Sequence, residues 1–257
     1  NRIFIKKGKY VLEGNKTNNQ KTCTIDGKEY AKFTDPTTYL NTPNVSIIGE
    51  DMEETVITNK VPNQFKPDGG NIAEGIGQGD VLSLQSGATS TYMQNFTIKS
   101  AMGDAKGRYI ELNDQSNKTV CKDMCLWGYQ DTYVSNSNKS RFYFEGGLLR
   151  GRTDFLCGKG DVYYNNVDLQ MCDNGYLAVP SIPTKYGYIF KDCTIKAEKS
   201  SIDGTLSDVL GDQAHLSLCS LIQRWRLNLR LSAGTRWAQD GQHALPNTTQ
   251  LLEKEAL

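Results

Sequence analysis

Between residues 128 and 155 the chain carries a glutamine and two aspartates among aromatic side chains: Tyr129, Gln130, Asp131 and Tyr133, then Asp154 and Phe155. Both histidines, His215 and His243, lie far downstream. A Ser/His/Asp triad, a Cys/His pair and a His-ligated zinc each need an imidazole, so all three are excluded for the first 214 residues. Carboxylate chemistry remains. Two carboxylates can divide labour in one reaction only when their surroundings push their pKa values apart, leaving one ionised and the other protonated at the start. Tyr129, Tyr133 and Phe155 are apolar neighbours that could do so. A lone aspartate in a turn is more often a capping residue, and taken singly Asp131 and Asp154 read that way.

The elements that must hold these residues are short. Apolar or alternating runs rich in Val, Ile, Tyr and Phe are separated by Gly, Asn and Asp clusters, with almost no helical periodicity before residue 205. A unit recurs: Asn95-Phe96-Thr97-Ile98, Asp123-Met124-Cys125-Leu126, Asn166-Val167-Asp168-Leu169 and Asp192-Cys193-Thr194-Ile195, with Gly146-Gly147-Leu148-Leu149 a degenerate copy. Successive copies lie 20 to 28 residues apart, about one coil of a solenoid. Each sets a polar turn residue before an inward-pointing aliphatic, and stacked coils would align those aliphatics in a ladder. The pattern predicts an all-β chain folded as a right-handed parallel β-helix, with a β-sandwich as the alternative.

Bulk properties narrow the partners. The chain has 257 residues, 38% of them hydrophobic, and 29 basic against 29 acidic side chains, so it is globular and offers no electrostatic footprint for nucleic acid. No run reaches the length of a membrane span. Seven cysteines without a Cys-x-x-Cys pair predict buried thiols at Cys121, Cys125, Cys157, Cys172 and Cys193. Opening at Asn1 with no charged-then-apolar leader, the sequence reads as a mature form or a fragment.

Gly128-Tyr129-Gln130-Asp131-Thr132 and Arg152-Thr153-Asp154-Phe155-Leu156-Cys157-Gly158 resemble the two central motifs of the pectin methylesterases, which usually read Gly-Tyr-Gln-Asp-Thr and Val-Asp-Phe-Ile-Phe-Gly. Ile3 to Tyr10 resembles the family's first conserved strand, and Ile47 to Glu50 with Thr55 to Thr58 its next coil; the resemblance runs from about Arg2 to Gly204. It implies a β-helix esterase in which Asp154 attacks the C6 methyl-ester carbonyl of galacturonate. Asp131 would protonate departing methanol and then activate water. Gln130 would donate its amide N–H to the developing oxyanion, a contribution on the order of 3 kcal/mol. Tyr129, Tyr133 and Phe155 would contact the sugar, and both carboxylates would converge on one open groove. The resemblance further implies no metal or cofactor, methylated homogalacturonan (pectin) as partner, no nucleic acid, no membrane, a monomeric state, and secretion to a periplasmic or extracellular space. A pectate lyase and a noncatalytic polysaccharide-binding β-helix are the competing readings, whereas a polygalacturonase would need a core histidine.

The chain departs from the family in two places. Counted from Ser100, the upstream oxyanion glutamine falls on Arg108, whose guanidinium could stabilise the oxyanion or pair with a carboxylate. The Leu-Gly-Arg-Pro-Trp motif that should follow Gly204 is missing. Synonymous codons from Gly204 onward, read from the third base of one residue and the first two of the next, permit Tyr-Thr-Leu-Gly-Arg-Pro-Trp-Gly over Thr205 to Asp212. A frame-shifted tail after one lost base is therefore expected over residues 205–257, beyond an esterase domain at 1–204. Such a tail would be disordered or marginally helical, would leave the solenoid without its C-terminal cap, and would impair activity.

Overall fold

The computed structural model describes residues 1–15, 20–25, 28–60, 79–105, 107–181, 185–199 and 229–231. Within them the chain is a right-handed parallel β-helix of three sheets. The first sheet runs Arg2–Ile5, Ser46–Gly49, Tyr92–Gln94, Thr119–Lys122, Arg141–Glu145, Asp161–Asn165 and Tyr188–Lys191. The second runs Gly8–Leu12, Thr55–Asn59, Thr97–Lys99, Cys125–Trp127, Leu148–Gly151, Asp168–Met171, Cys193–Ala197 and Leu229–Leu231. The third runs Thr38–Leu40, Leu82–Leu84, Leu112–Asp114, Tyr133–Ser135, Leu156–Gly158 and Ala178–Pro180. Every pairing in these three sheets is parallel, as a β-sandwich would not allow. An antiparallel hairpin, Gln20–Ile25 with Lys28–Thr34, is inserted between Gly8–Leu12 and Thr38–Leu40.

The repeat read in the sequence is the corner between the first and second sheets. Asn95, Asp123, Asn166 and Asp192 hold φ values of 65, 46, 55 and 54°, and Gly146 of the degenerate copy holds 64°. Asn and Asp tolerate this left-handed conformation better than other side chains, which explains the composition of the row. The ladder continues through the corner, since the N–H groups of Asn95, Asp123, Gly146 and Asn166 donate to Lys122, Glu145, Asn165 and Lys191 carbonyls at 2.8 to 3.1 Å. Gly147 differs because a Cβ there would lie 2.1 Å from the Met124 carbonyl oxygen. Inside, Ile57, Ile98, Leu126, Leu149, Leu169 and Ile195 occupy one register position on successive coils, and all are buried. Each such side chain contributes about 1.5–3 kcal/mol of burial, realised only when neighbouring coils stack. Phe144, Tyr164 and Phe190 form a second internal stack with ring centroids 5.3 and 4.7 Å apart.

Cys121, Cys125, Cys157, Cys172 and Cys193 are free and buried, as the composition predicts. Among the described residues no helix is long and apolar enough to cross a membrane. Most of the tail at 205–257, with His215 and His243, lies outside the described residues. Leu229–Leu231 is the exception: it pairs parallel with Cys193–Ala197, Cys193 opposite Leu229, so three residues expected to be disordered or helical extend the second sheet as a strand.

Candidate active site

The third sheet carries the site. Asp131 and Asp154 each stand two residues ahead of a strand, Tyr133–Ser135 and Leu156–Gly158, and these strands pair with Tyr133 opposite Leu156. A bridge between Gln130 and Thr153 extends the register backward, and the Asp131 N–H donates to the Thr153 carbonyl at 3.1 Å. The two aspartates therefore occupy the same position on adjacent coils. Both are left-handed, with φ of 55° for Asp131 and 50° for Asp154. The conformation is the one held by the corner residues Asn95, Asp123, Asn166 and Asp192, and Asp tolerates it, so each carboxylate sits at a turn of its coil.

Electrostatics separate the pair. Asp131 keeps only 7% of its side chain exposed, and burial pushes its carboxyl up to about 6. Arg108 counters this with Nε 3.2 Å from Asp131 Oδ2, neighbouring Asp154 adds to the rise, and the Cys157 thiol donates weakly to Asp131 Oδ1 at 3.8 Å. Asp154 is half-buried and is also raised by burial, again opposed by Arg108. Among the described residues its Oδ1 is buried and accepts no hydrogen bond, as is true of Glu111 Oε2 and Asp114 Oδ2 outside the site. One guanidinium thus acts on both carboxylates, and of the two roles open to Arg108 the pairing with a carboxylate is the one observed.

The remaining predicted residues divide. Gln130 is half-buried at the lip beside Asp131, held by its bridge to Thr153. Tyr129 is half-buried, with the Arg152 guanidinium 5.6 Å from its ring centre. Tyr133 and Phe155 do not line a sugar site: both are wholly buried in the core, Tyr133 edge-on to Phe144 at 4.7 Å. The left-handed corner at each aspartate turns the following residues inward, so their service is packing and desolvation. Of the two carboxylates expected to share one open groove, Asp131 is buried with Arg108, 46% exposed, as its ion-pair partner, and Asp154 is half-buried.

Sequence reasoning missed Tyr176. The strand Ala178–Pro180 pairs with Leu156–Gly158, Ala178 opposite Leu156, which sets Tyr176 beside Asp154 on the next coil with 36% exposure. The signal was available, because Asp131, Asp154 and Tyr176 stand 23 and 22 residues apart at one offset from their strands. Arg152 was also passed over; its Nε donates to the Asn174 carbonyl at 2.8 Å and ties the Asp154 coil to the Tyr176 coil.

The sequence profile of the Pectinesterase family matches residues 11–205. In Arabidopsis thaliana, "Probable pectinesterase/pectinesterase inhibitor 59" is 26% identical over 129 residues, covering 49% of this chain and 22% of that protein. "Putative pectinesterase 11" of the same plant is 27% identical over 113 residues, 42% of this chain and 31% of that one. Among solved structures, the pectin methylesterase from Yersinia enterocolitica superposes with a TM-score of 0.58 at 22% identity, covering 77% of this chain and 61% of that one. The enzyme from carrot gives 0.59 at 17% identity, covering 80% and 58%. These likenesses carry the fold. The chain spans less than a third of the length of those curated relatives.

Proposed function

Given that this chain belongs to the pectinesterase family, we propose that it hydrolyses the C6 methyl esters of polygalacturonate, releasing methanol and leaving pectate. The observation that carries this reading is the stacking of Asp131 and Asp154 on adjacent coils under one guanidinium, Arg108. The half-buried Asp154 carboxylate attacks the ester carbonyl. Charge passes to the carbonyl oxygen, where the Gln130 amide N–H, with the exposed edge of Arg108, stabilises it. Collapse expels methanol, which takes its proton from Asp131, the more buried acid and the one held protonated to higher pH. An acyl-enzyme anhydride on Asp154 remains. Asp131, now ionised, removes a proton from water, whose attack on the acyl carbon frees the galacturonate carboxyl and restores both aspartates. Tyr129 and Tyr176 flank the pair as the surfaces on which a sugar ring would lie. The substrate would be methylated homogalacturonan met outside the cytoplasm, by a chain acting alone and without metal or cofactor.

The experiment is Asp154→Ala assayed for methanol release and for pectin binding. Lost release with retained binding supports the esterase, and unaltered release refutes it. Products absorbing in the ultraviolet would indicate a lyase.

A noncatalytic pectin-binding role is the second reading, favoured by the absent Leu-Gly-Arg-Pro-Trp motif. The frame-shift reading accounts for that absence, and the end of the family match at residue 205 supports it. Restoring the alternate frame after Gly204 should raise methanol release at least tenfold over the chain as written. An unchanged rate in the restored protein would refute the impairment, and resequencing the gene tests the shift itself.

A further inference from the structure

We propose that Arg150 is a positioning residue that holds the segment bearing Arg108, and the turn bearing Asp131, in working geometry from beneath. The inference rests on the esterase reading of the site, and it concerns a residue that touches neither carboxylate. Arg150 lies on Leu148–Gly151, four residues before Asp154, with only 4% of its side chain exposed. Its guanidinium grips Asp104 in both directions, Nη1 to Oδ1 at 2.7 Å and Nη2 to Oδ2 at 3.0 Å. It also donates from Nη2 and Nε to Glu198 Oε2 at 2.9 and 3.2 Å and from Nη1 to the Gly128 carbonyl at 2.9 Å, and it lies 4.6 Å from the Trp127 ring centre.

Those partners are the approaches to the site. Asp104 belongs to the turn 100–105, which leads within four residues to Arg108. Two more buried polar side chains anchor that turn: Glu111 Oε1 accepts the Ser100 N–H at 3.2 Å, and Asn59 Oδ1 accepts the Ala101 N–H at 3.0 Å. Gly128 opens the turn that ends in Asp131 and Thr132. The backbone carbonyl of Arg150 accepts from the Gly128 N–H at 3.2 Å and from the Thr132 hydroxyl at 2.9 Å, so Arg150 closes that turn at both ends. Burying a guanidinium is costly unless its donors are met, and here four of its bonds go to carboxylates on two other segments. A planar fork can hold such a set where a lysine cannot. Arg108 is half-exposed and long, so its place against Asp131 depends on where its backbone is held.

The test compares Arg150→Met, Asp104→Asn, Arg108→Ala and the Arg108→Ala/Arg150→Met double variant. Loosening Arg108 removes the charge that favours ionised carboxylates, so in Arg150→Met the acid limb of the pH profile for methanol release should move to higher pH, toward that of Arg108→Ala. The rate at the optimum should fall roughly tenfold to a hundredfold, mostly in kcat. The double variant should move no further than Arg108→Ala alone. A folded Arg150→Met with the parent profile, or a double variant whose shifts add, would overturn the proposal. Should Arg150→Met fail to fold, Asp104→Asn decides by the same limb, since Asp104 is 54% exposed and Asn keeps its shape and one acceptor for Arg150. A parent that releases no methanol fails the esterase reading instead. The clamp is then judged by amide hydrogen exchange over residues 100–105, which Asp104→Asn should speed at least tenfold and which an absent clamp would leave unchanged.

Discussion

At the scale of single residues, the site turns on one cation and two acids in unequal surroundings. Arg108 opposes the burial-driven rise of both carboxyls, so Arg108→Ala should move the acid limb of methanol release to higher pH, and an unmoved limb would contradict the pairing. Asp131 has a stability consequence as well. Its carboxyl is raised to about 6 in the folded state from an ordinary 3.8, so between those values the folded chain binds more protons than the unfolded one and stability falls as pH rises. Replacing it with Asn, which accepts the same left-handed backbone, should stabilise by up to about 3 kcal/mol at pH 7 and by little near pH 4, read as a pH-dependent gain in melting temperature. The adjacency of Gln130, Asp131 and Asp154 was legible in the sequence, because two motifs carry them at one offset from strands that stack as neighbours. Tyr133 and Phe155 were not, since the direction of a side chain after a left-handed corner cannot be counted by simple alternation. The Arg150 contacts were invisible because they join residues 46 and 48 positions apart.

At the scale of elements, the corner between the first and second sheets decides whether coils stack. Asn166 holds φ at 55°, where a β-branched side chain fits poorly, so Asn166→Val should cost about 1–2 kcal/mol and Asn166→Gly should not, by urea denaturation. Gly147→Ala should be worse, at more than about 2 kcal/mol, because its new methyl meets the Met124 backbone rather than a side chain that can move. This row and the aliphatic ladder behind it were readable in advance, for a turn residue followed by an inward apolar side chain is a local pattern repeated once per coil. The hairpin at 20–34 was not, being an insertion between Gly8–Leu12 and Thr38–Leu40 that the repeat does not announce.

At the scale of the whole molecule, zero net charge and a pI near 6.9 mean that the chain exerts little long-range pull on a polyanion. KM for pectin, the proposed substrate, should therefore change by less than about twofold between low and physiological salt, and a steep rise would show that charge carries binding. The two acids come from different coils, 23 residues apart, and neither coil holds the reaction by itself. Catalytic competence is then a property of a single seam in the stack. Lengthening the solenoid elsewhere by whole repeats leaves that seam untouched, whereas slippage by one repeat along the third sheet would set Asp131 against Tyr176 and part the proposed proton donor from the proposed nucleophile. An enzyme arranged this way should lose activity when its layers part, well before its strands come undone.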